Sequence, residues 1–160
     1  MVHTQAELRE QPSGLKGLAF ELNLDVWELV EVIGGPWDVI HDPSAPERET
    51  RLPGFVVIGR VGPSVVIQVL EGHIRVGRAK GEWIGPDPLV WDMTNPITTI
   101  PRDELQGRRA EFGTAVEVAF KSKRRSLRMC RYCGDLLAPE LMFGKDQCYG
   151  CASEYSGVMY

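Results

Sequence analysis

The sequence predicts an α+β fold: a mainly antiparallel sheet with helices at its N-terminal side, followed by a small C-terminal module organised by cysteines. Three observations predict it. Apolar residues recur at helical spacing as far as Ile33, and from Trp37 the period shortens to that of strands broken by glycine and proline turns. All four cysteines of the 160-residue chain then fall in two Cys-x-x-Cys pairs, Cys130 with Cys133 and Cys148 with Cys151.

Thr4 and Glu7 have capping-box spacing for a short first helix that ends near Pro12 to Gly14. Leu15, Leu18, Ala19 and Leu22 recur at helical spacing. After Asn23-Leu24 a new helix starts with Asp25 as N-cap and Glu28 three positions on; its apolar face is Val26, Leu29, Val30 and Ile33, and Gly34-Gly35-Pro36 stops it. The outward residues of this pair are Glu21, Asp25, Glu28 and Glu31. Negative charge there opposes phosphate contact, so these are core helices and not a DNA-reading helix-turn-helix.

Trp37 to His41 reads as a short strand, Asp42 to Pro53 as a polar connection, and Gly54 to Val61 as a strand with an almost unbroken apolar run. Gly62-Pro63 turns the chain into Ser64 to Leu70, and Glu71-Gly72 turns it into His73 to Ala79. Three consecutive antiparallel strands are expected at the centre, buried on both faces because Phe55 to Ile58 and Val65 to Ile67 are apolar throughout. Residues 81 to 101, with four prolines and the indoles of Trp83 and Trp91, read as an irregular aromatic-anchored loop in which at least one tryptophan is buried. A helix is expected from Pro101 to Phe112. A further strand is expected over Ala115 to Phe120, where Val116, Val118 and Phe120 alternate.

The cysteine pairs have metal-ligand spacing. Each pair wraps a tight turn, and the fourteen residues between them allow a hairpin that sets the second pair opposite the first, so that four thiolates close a tetrahedral zinc site with no open position for catalysis. Gly134 follows the first pair where positive φ is needed, and Asp135 to Gly144 supplies a hairpin with Leu136, Leu137, Leu141, Met142 and Phe143 on its apolar side. Ala152 to Tyr155 makes a helical turn, and Val158 to Tyr160 form an apolar end docked on the body. No basic, apolar, small-residue signal precedes the body, so a cytoplasmic location is expected, where thiols stay reduced and disulfides are disfavoured. Redox use of the pairs lacks a βαβ context, and nuclease use would require histidines, of which His3, His41 and His73 all lie outside the segment. Residues 128 to 155 resemble the four-cysteine zinc-ribbon class in spacing and glycines; that resemblance implies a single structural Zn2+ held by Cys130, Cys133, Cys148 and Cys151.

Charge divides the chain at the same place. Residues 1 to 120 carry 11 Lys and Arg against 18 Asp and Glu, a net of −7, whereas residues 121 to 160 carry 7 against 4, a net of +3. This suggests an acidic α+β body over 1–120 and a basic connector with its ribbon over 121–160. No apolar run is long enough to span a membrane. Lys121, Lys123, Arg124, Arg125, Arg128 and Arg131 form a cluster that either contacts nucleic acid or an acidic partner or serves as a solvated connector. Tyr132 and Tyr149, one in each knuckle, shield the metal or stack on bases.

No phosphate loop, nucleophile elbow or His-paired nucleophile is present, so the chain reads as a non-enzymatic binding protein. The order Leu24, Glu47-Arg48, Ile58-Gly59-Arg60, Ile74-Arg75 and Arg78-Ala79 resembles RelE-like ribonuclease toxins of bacteria. That resemblance implies RNA cleavage by Glu47, Arg60 and Arg78, with the arginines stabilising the cleaved phosphate. The leading expectation is a protein partner, in the manner of a bacterial immunity or antitoxin-like inhibitor, engaged through Trp83, Asp87 and Trp91. A nucleic-acid or transcription-machinery adaptor acting through the basic ribbon is the third expectation.

Overall fold

The computed structural model describes residues 13–41, 54–83 and 89–156. Helices α1 (Ser13–Glu21) and α2 (Val26–Ile33) lead into strands β1 (Asp38–His41), β2 (Phe55–Gly59), β3 (Gly62–Val69), β4 (His73–Trp83) and β5 (Leu89–Pro101). A 3-10 turn (Arg102–Arg108) opens helix α3 (Arg109–Ser126), and the C-terminal module follows as β6 (Arg128–Met129), β7 (Leu136–Leu137), a 3-10 turn (Pro139–Leu141) and α4 (Tyr149–Ser156). The sheet is a five-stranded antiparallel meander in sequence order, and the three strands expected at its centre occupy its middle. This is the α+β class read from the sequence. The expected helix at Thr4 to Glu7, the connection from 42 to 53, Asp87 and the apolar end at Val158 to Tyr160 lie outside the described residues.

Local signals act as the sequence implies at α2. The Asp25 carboxylate accepts from the Glu28 amide at 2.9 Å, the Glu28 carboxylate accepts from the Asp25 amide at 3.0 Å, and Gly34 caps the other end at φ 87. Helix α1 packs against β1 at a distance that only glycine permits. A Cβ on Gly14 would stand 1.7 Å from the Val39 carbonyl oxygen.

Period-2 alternation gives the sheet two apolar faces. Phe55, Val57, Val65, Ile67, Ile74 and Val76 meet the helices, with Leu18, Leu29, Phe112 and Val116 opposite them. Val56 and Val66, the intervening residues, point the other way and join Ala79 in a second cluster against Trp91 and Met93. The continuous apolar runs are thus explained by burial on both faces.

Two expectations are corrected. Ala115 to Phe120 is helix and not strand: the buried residues Phe112, Ala115, Val116, Ala119 and Lys123 recur at helical spacing, while Val118, which the alternation groups with Val116 and Phe120, is exposed. Residues 89 to 101 form a paired strand rather than a loop. As the edge strand of the meander, β5 tolerates proline, and Pro96 sits opposite Gly77 where the β4–β5 register shifts. Helix α3 also runs unbroken through residue 120, the expected junction between body and connector.

Candidate metal centre

The first cysteine pair is set by a tight turn. The Gly134 amide donates to the Cys130 carbonyl at 2.8 Å, and the Cys130 amide donates to the Asp135 carbonyl at 2.8 Å. Gly134 has φ 77, so a side chain there would strain the turn. The strands that flank it, β6 and β7, pair Arg128 with Leu137 and Met129 with Leu136. The second pair is set by a helix: Cys148 precedes α4 and Cys151 lies in its first turn. The Arg131 amide donates to the Asp146 carbonyl at 2.7 Å and the Phe143 amide to the Gln147 carbonyl at 2.7 Å, which draws the second pair onto the first.

The four Sγ atoms lie within 4.8 Å of one another, and those of Cys133 and Cys148 are 3.9 Å apart. A tetrahedral metal–thiolate centre with bonds near 2.3 Å has sulfur–sulfur edges of about 3.8 Å. The donor set therefore fits one metal ion with all four positions filled. Two sulfurs also accept backbone amides: Cys148 N–H donates to Cys130 Sγ and Cys151 N–H to Cys148 Sγ, both at 3.4 Å. Such bonds favour the thiolate form that a metal requires.

Without a cation the thiols of Cys130, Cys133 and Cys151 are driven apart in their pKa values. The Cys133 amide lowers the Cys130 thiol to about 6 against the opposing effect of burial, with the Cys148 and Tyr132 amides adding to it. Burial pushes Cys151 well up, and the neighbouring thiols push it further. At Cys133 the Asp135 amide pulls down, but the Cys130 thiol and burial outweigh it, and the net direction is up. A dication held by these sulfurs would offset the repulsion and favour the thiolate form.

No family model matches this chain, and no curated protein or solved structure matches it either. What it can do is therefore carried by its own geometry.

The module's apolar residues divide differently from expectation. Met142 is buried against Cys130, Cys148 and Cys151 with Leu137 beside it, but Leu136, Leu141 and Phe143 are exposed. Of the residues read as partner-binding, Trp83 and Trp91 both meet the metal module's surroundings. The Trp83 indole donates to the Glu140 carbonyl at 3.0 Å and stands edge-on to Tyr149 with centroids 5.6 Å apart, though 40% of the residue stays exposed. The Trp91 ring carries the Lys123 ammonium 5.0 Å from its centroid.

The basic cluster is likewise divided. Lys123 is buried and ion-paired with the buried Glu140 carboxylate. Lys121 pairs with Glu117 at 2.8 Å, and Arg131 reaches Asp146 at 3.5 Å and lies over Tyr132. Arg124, Arg125, Arg128 and Arg131 are exposed, as is Tyr132. Arg60 and Arg78 are not brought together: Arg60 lines a cavity with Trp37, Phe120 and Arg124, whereas Arg78 lines another with Ser122 and Lys123, on a different face of α3. Glu47 lies outside the described residues. Sequence reasoning missed Glu140, which has no local motif. The only signal for the burial of Lys123 is its position four residues after Ala119 on the buried stripe.

Proposed function

We propose that the four thiols hold one structural zinc ion and that the chain is a non-enzymatic binding protein whose zinc module engages a protein partner. A four-sulfur set selects zinc or iron, and a closed single-ion site on two Cys-x-x-Cys knuckles suits zinc, whose role is then to fold the module. The observation that carries the reading is the cross-strand pair Met129 and Leu136. These residues are 61% and 59% exposed on a hairpin fixed by the metal ligands, with Tyr132 and Phe143 also exposed on the same module. Apolar side chains held rigidly in water mark a contact surface. Arg128 and Arg131 are exposed on the same hairpin and turn, which suits a partner with an apolar centre and acidic surroundings.

The narrowest form of this reading is a bacterial immunity or antitoxin-like inhibitor of a protein toxin. It is tested by co-expressing the chain with a panel of bacterial protein toxins. Protection lost in Met129→Asp and Leu136→Asp variants that retain zinc is the expected result; full protection by both variants overturns the assigned surface. The four exposed arginines, Arg124, Arg125, Arg128 and Arg131, favour a second reading, an adaptor that binds nucleic acid. Affinity for single-stranded RNA that falls steeply with salt and drops in Arg124→Gln/Arg125→Gln would establish that reading in place of the first.

A further inference from the structure

A cavity of about 390 Å³ opens where β4, β5 and α3 meet the metal module, which contributes Pro139 and Glu140 to its wall. Its charged lining is Arg78, Lys80, Lys123 and Glu140. Lys123 and Glu140 neutralise one another. Lys80 approaches Glu82 only at 3.9 Å, with both side chains about half exposed, a contact that solvent screens almost completely.

Arg78 is the distinctive group. Among the described residues its partners are neutral: its Nε donates to Ser122 Oγ at 2.9 Å and one Nη reaches the Asn95 carbonyl at 3.4 Å. A half-buried guanidinium thus has no carboxylate to compensate it, while the Ser122 bond fixes its orientation. Ser122 accepts that bond, so its own O–H is left to donate, and Thr94 brings a second hydroxyl from β5.

We propose that this cavity binds a small phosphate-bearing anion, with Arg78 as the principal ligand, Lys80 closing the entrance, and Ser122 and Thr94 donating to the remaining oxygens. The donors converge from three elements. A planar carboxylate would be satisfied by the guanidinium fork alone, whereas a tetrahedral, multiply charged group uses donors from several directions. The volume lies within the range of small-ligand sites and exceeds that of a single phosphate, which leaves room for a diphosphate or a phosphate ester. The site is independent of the partner surface proposed above.

The test uses the full zinc-loaded chain at physiological ionic strength, with inorganic phosphate and pyrophosphate as calorimetric probes. Pyrophosphate is expected to bind one to one and to raise the thermal midpoint. Arg78→Gln should weaken it about tenfold or more, and Arg78→Lys should recover part of the loss. Lys80→Gln, at an exposed position, should weaken it by about threefold. Lys145→Gln, on the metal module away from the cavity lining, should change nothing. Equal affinity for phosphate and pyrophosphate would assign the site to a single phosphate group. Absence of binding by the wild-type chain, binding unaltered in both Arg78→Gln and Lys80→Gln, or an equal loss in Lys145→Gln overturns the proposal.

Discussion

One contiguous apolar cluster runs through the body from Leu15 on α1 to Ala119 on α3, whereas among the described residues of the C-terminal module the cluster around the cysteines holds Met142 and half-buried Leu137, with small Ala138 and Ala152 also buried. The body buries its side chains between three helices and one face of a sheet, and that burial suffices to order it. A segment as small as the module lacks such a core, and its strands are two residues each. The contrast suggests where each region's order comes from: in the body from side chains removed from water, in the module, on the proposed reading, from four thiolates gathered on one ion. The two meet at Lys123, Glu140, Trp83 and Tyr149, and this seam belongs to neither scheme.

The largest break in the comparison is removal of the metal. Chelation, or serine at Cys130, Cys133, Cys148 or Cys151, should abolish zinc content and unfold the module, because structural zinc contributes on the order of 10 kcal/mol or more to such segments. Body signals should persist in the same sample. Elemental analysis with amide spectra of the wild type and Cys130→Ser checks both halves, and intact module signals in zinc-free protein would refute the division.

A smaller effect is expected at the seam. Lys123→Met leaves the buried Glu140 carboxylate without its ion pair and should cost about 3–5 kcal/mol. Lys123→Met with Glu140→Leu replaces both charges by apolar groups and should recover most of that loss. Denaturant titration of the two single variants and the double variant measures the coupling; a double variant as unstable as Lys123→Met would show that the pair is not what joins the regions.

The smallest effect concerns acid. Arg108 and Thr98 hold the Glu111 carboxyl below its ordinary value, and Lys121 does the same for Glu117. The native body therefore binds fewer protons than the unfolded chain near pH 4, so stability is present above the ordinary carboxylate pKa and is lost as pH falls through the lowered values. Both groups are exposed, so the contribution is slight. Glu111→Gln should flatten the acid limb of the body's stability profile and leave zinc content at neutral pH unchanged.

Legibility in the sequence followed the range of the interactions. The Asp25–Glu28 capping box, the Gly34 stop and the central strands depend on neighbours a few residues away and were readable. The cysteines were readable because metal ligation constrains spacing directly. Helix α3 is hard to read because Ala115 and Ala119 carry its buried stripe without the bulk that marks a core position, which leaves Val116, Val118 and Phe120 to suggest a strand. In β5, prolines suggested a loop, and only the edge position of the strand makes them compatible with pairing. Charge alone groups Lys123 with residues adjacent in sequence, although the helix turns it toward Trp91 and Glu140. That contact joins positions 123 and 140 through the fold, and no local pattern announces it.

Helix α3 has a mechanical consequence. It begins at Arg109, which pairs with Glu28 of α2 at 3.1 Å, and ends four residues before Cys130. Eighteen residues of helix span about 27 Å. The metal module is thus mounted at the end of a beam clamped along its length to the sheet by Phe112, Ala115, Val116 and Ala119, with the Lys123–Glu140 and Trp83 contacts acting as a brace beside the free end. A load applied to the module is shared in parallel between beam and brace. Tension applied to the module would then reach the centre of the sheet instead of dissipating in a hinge.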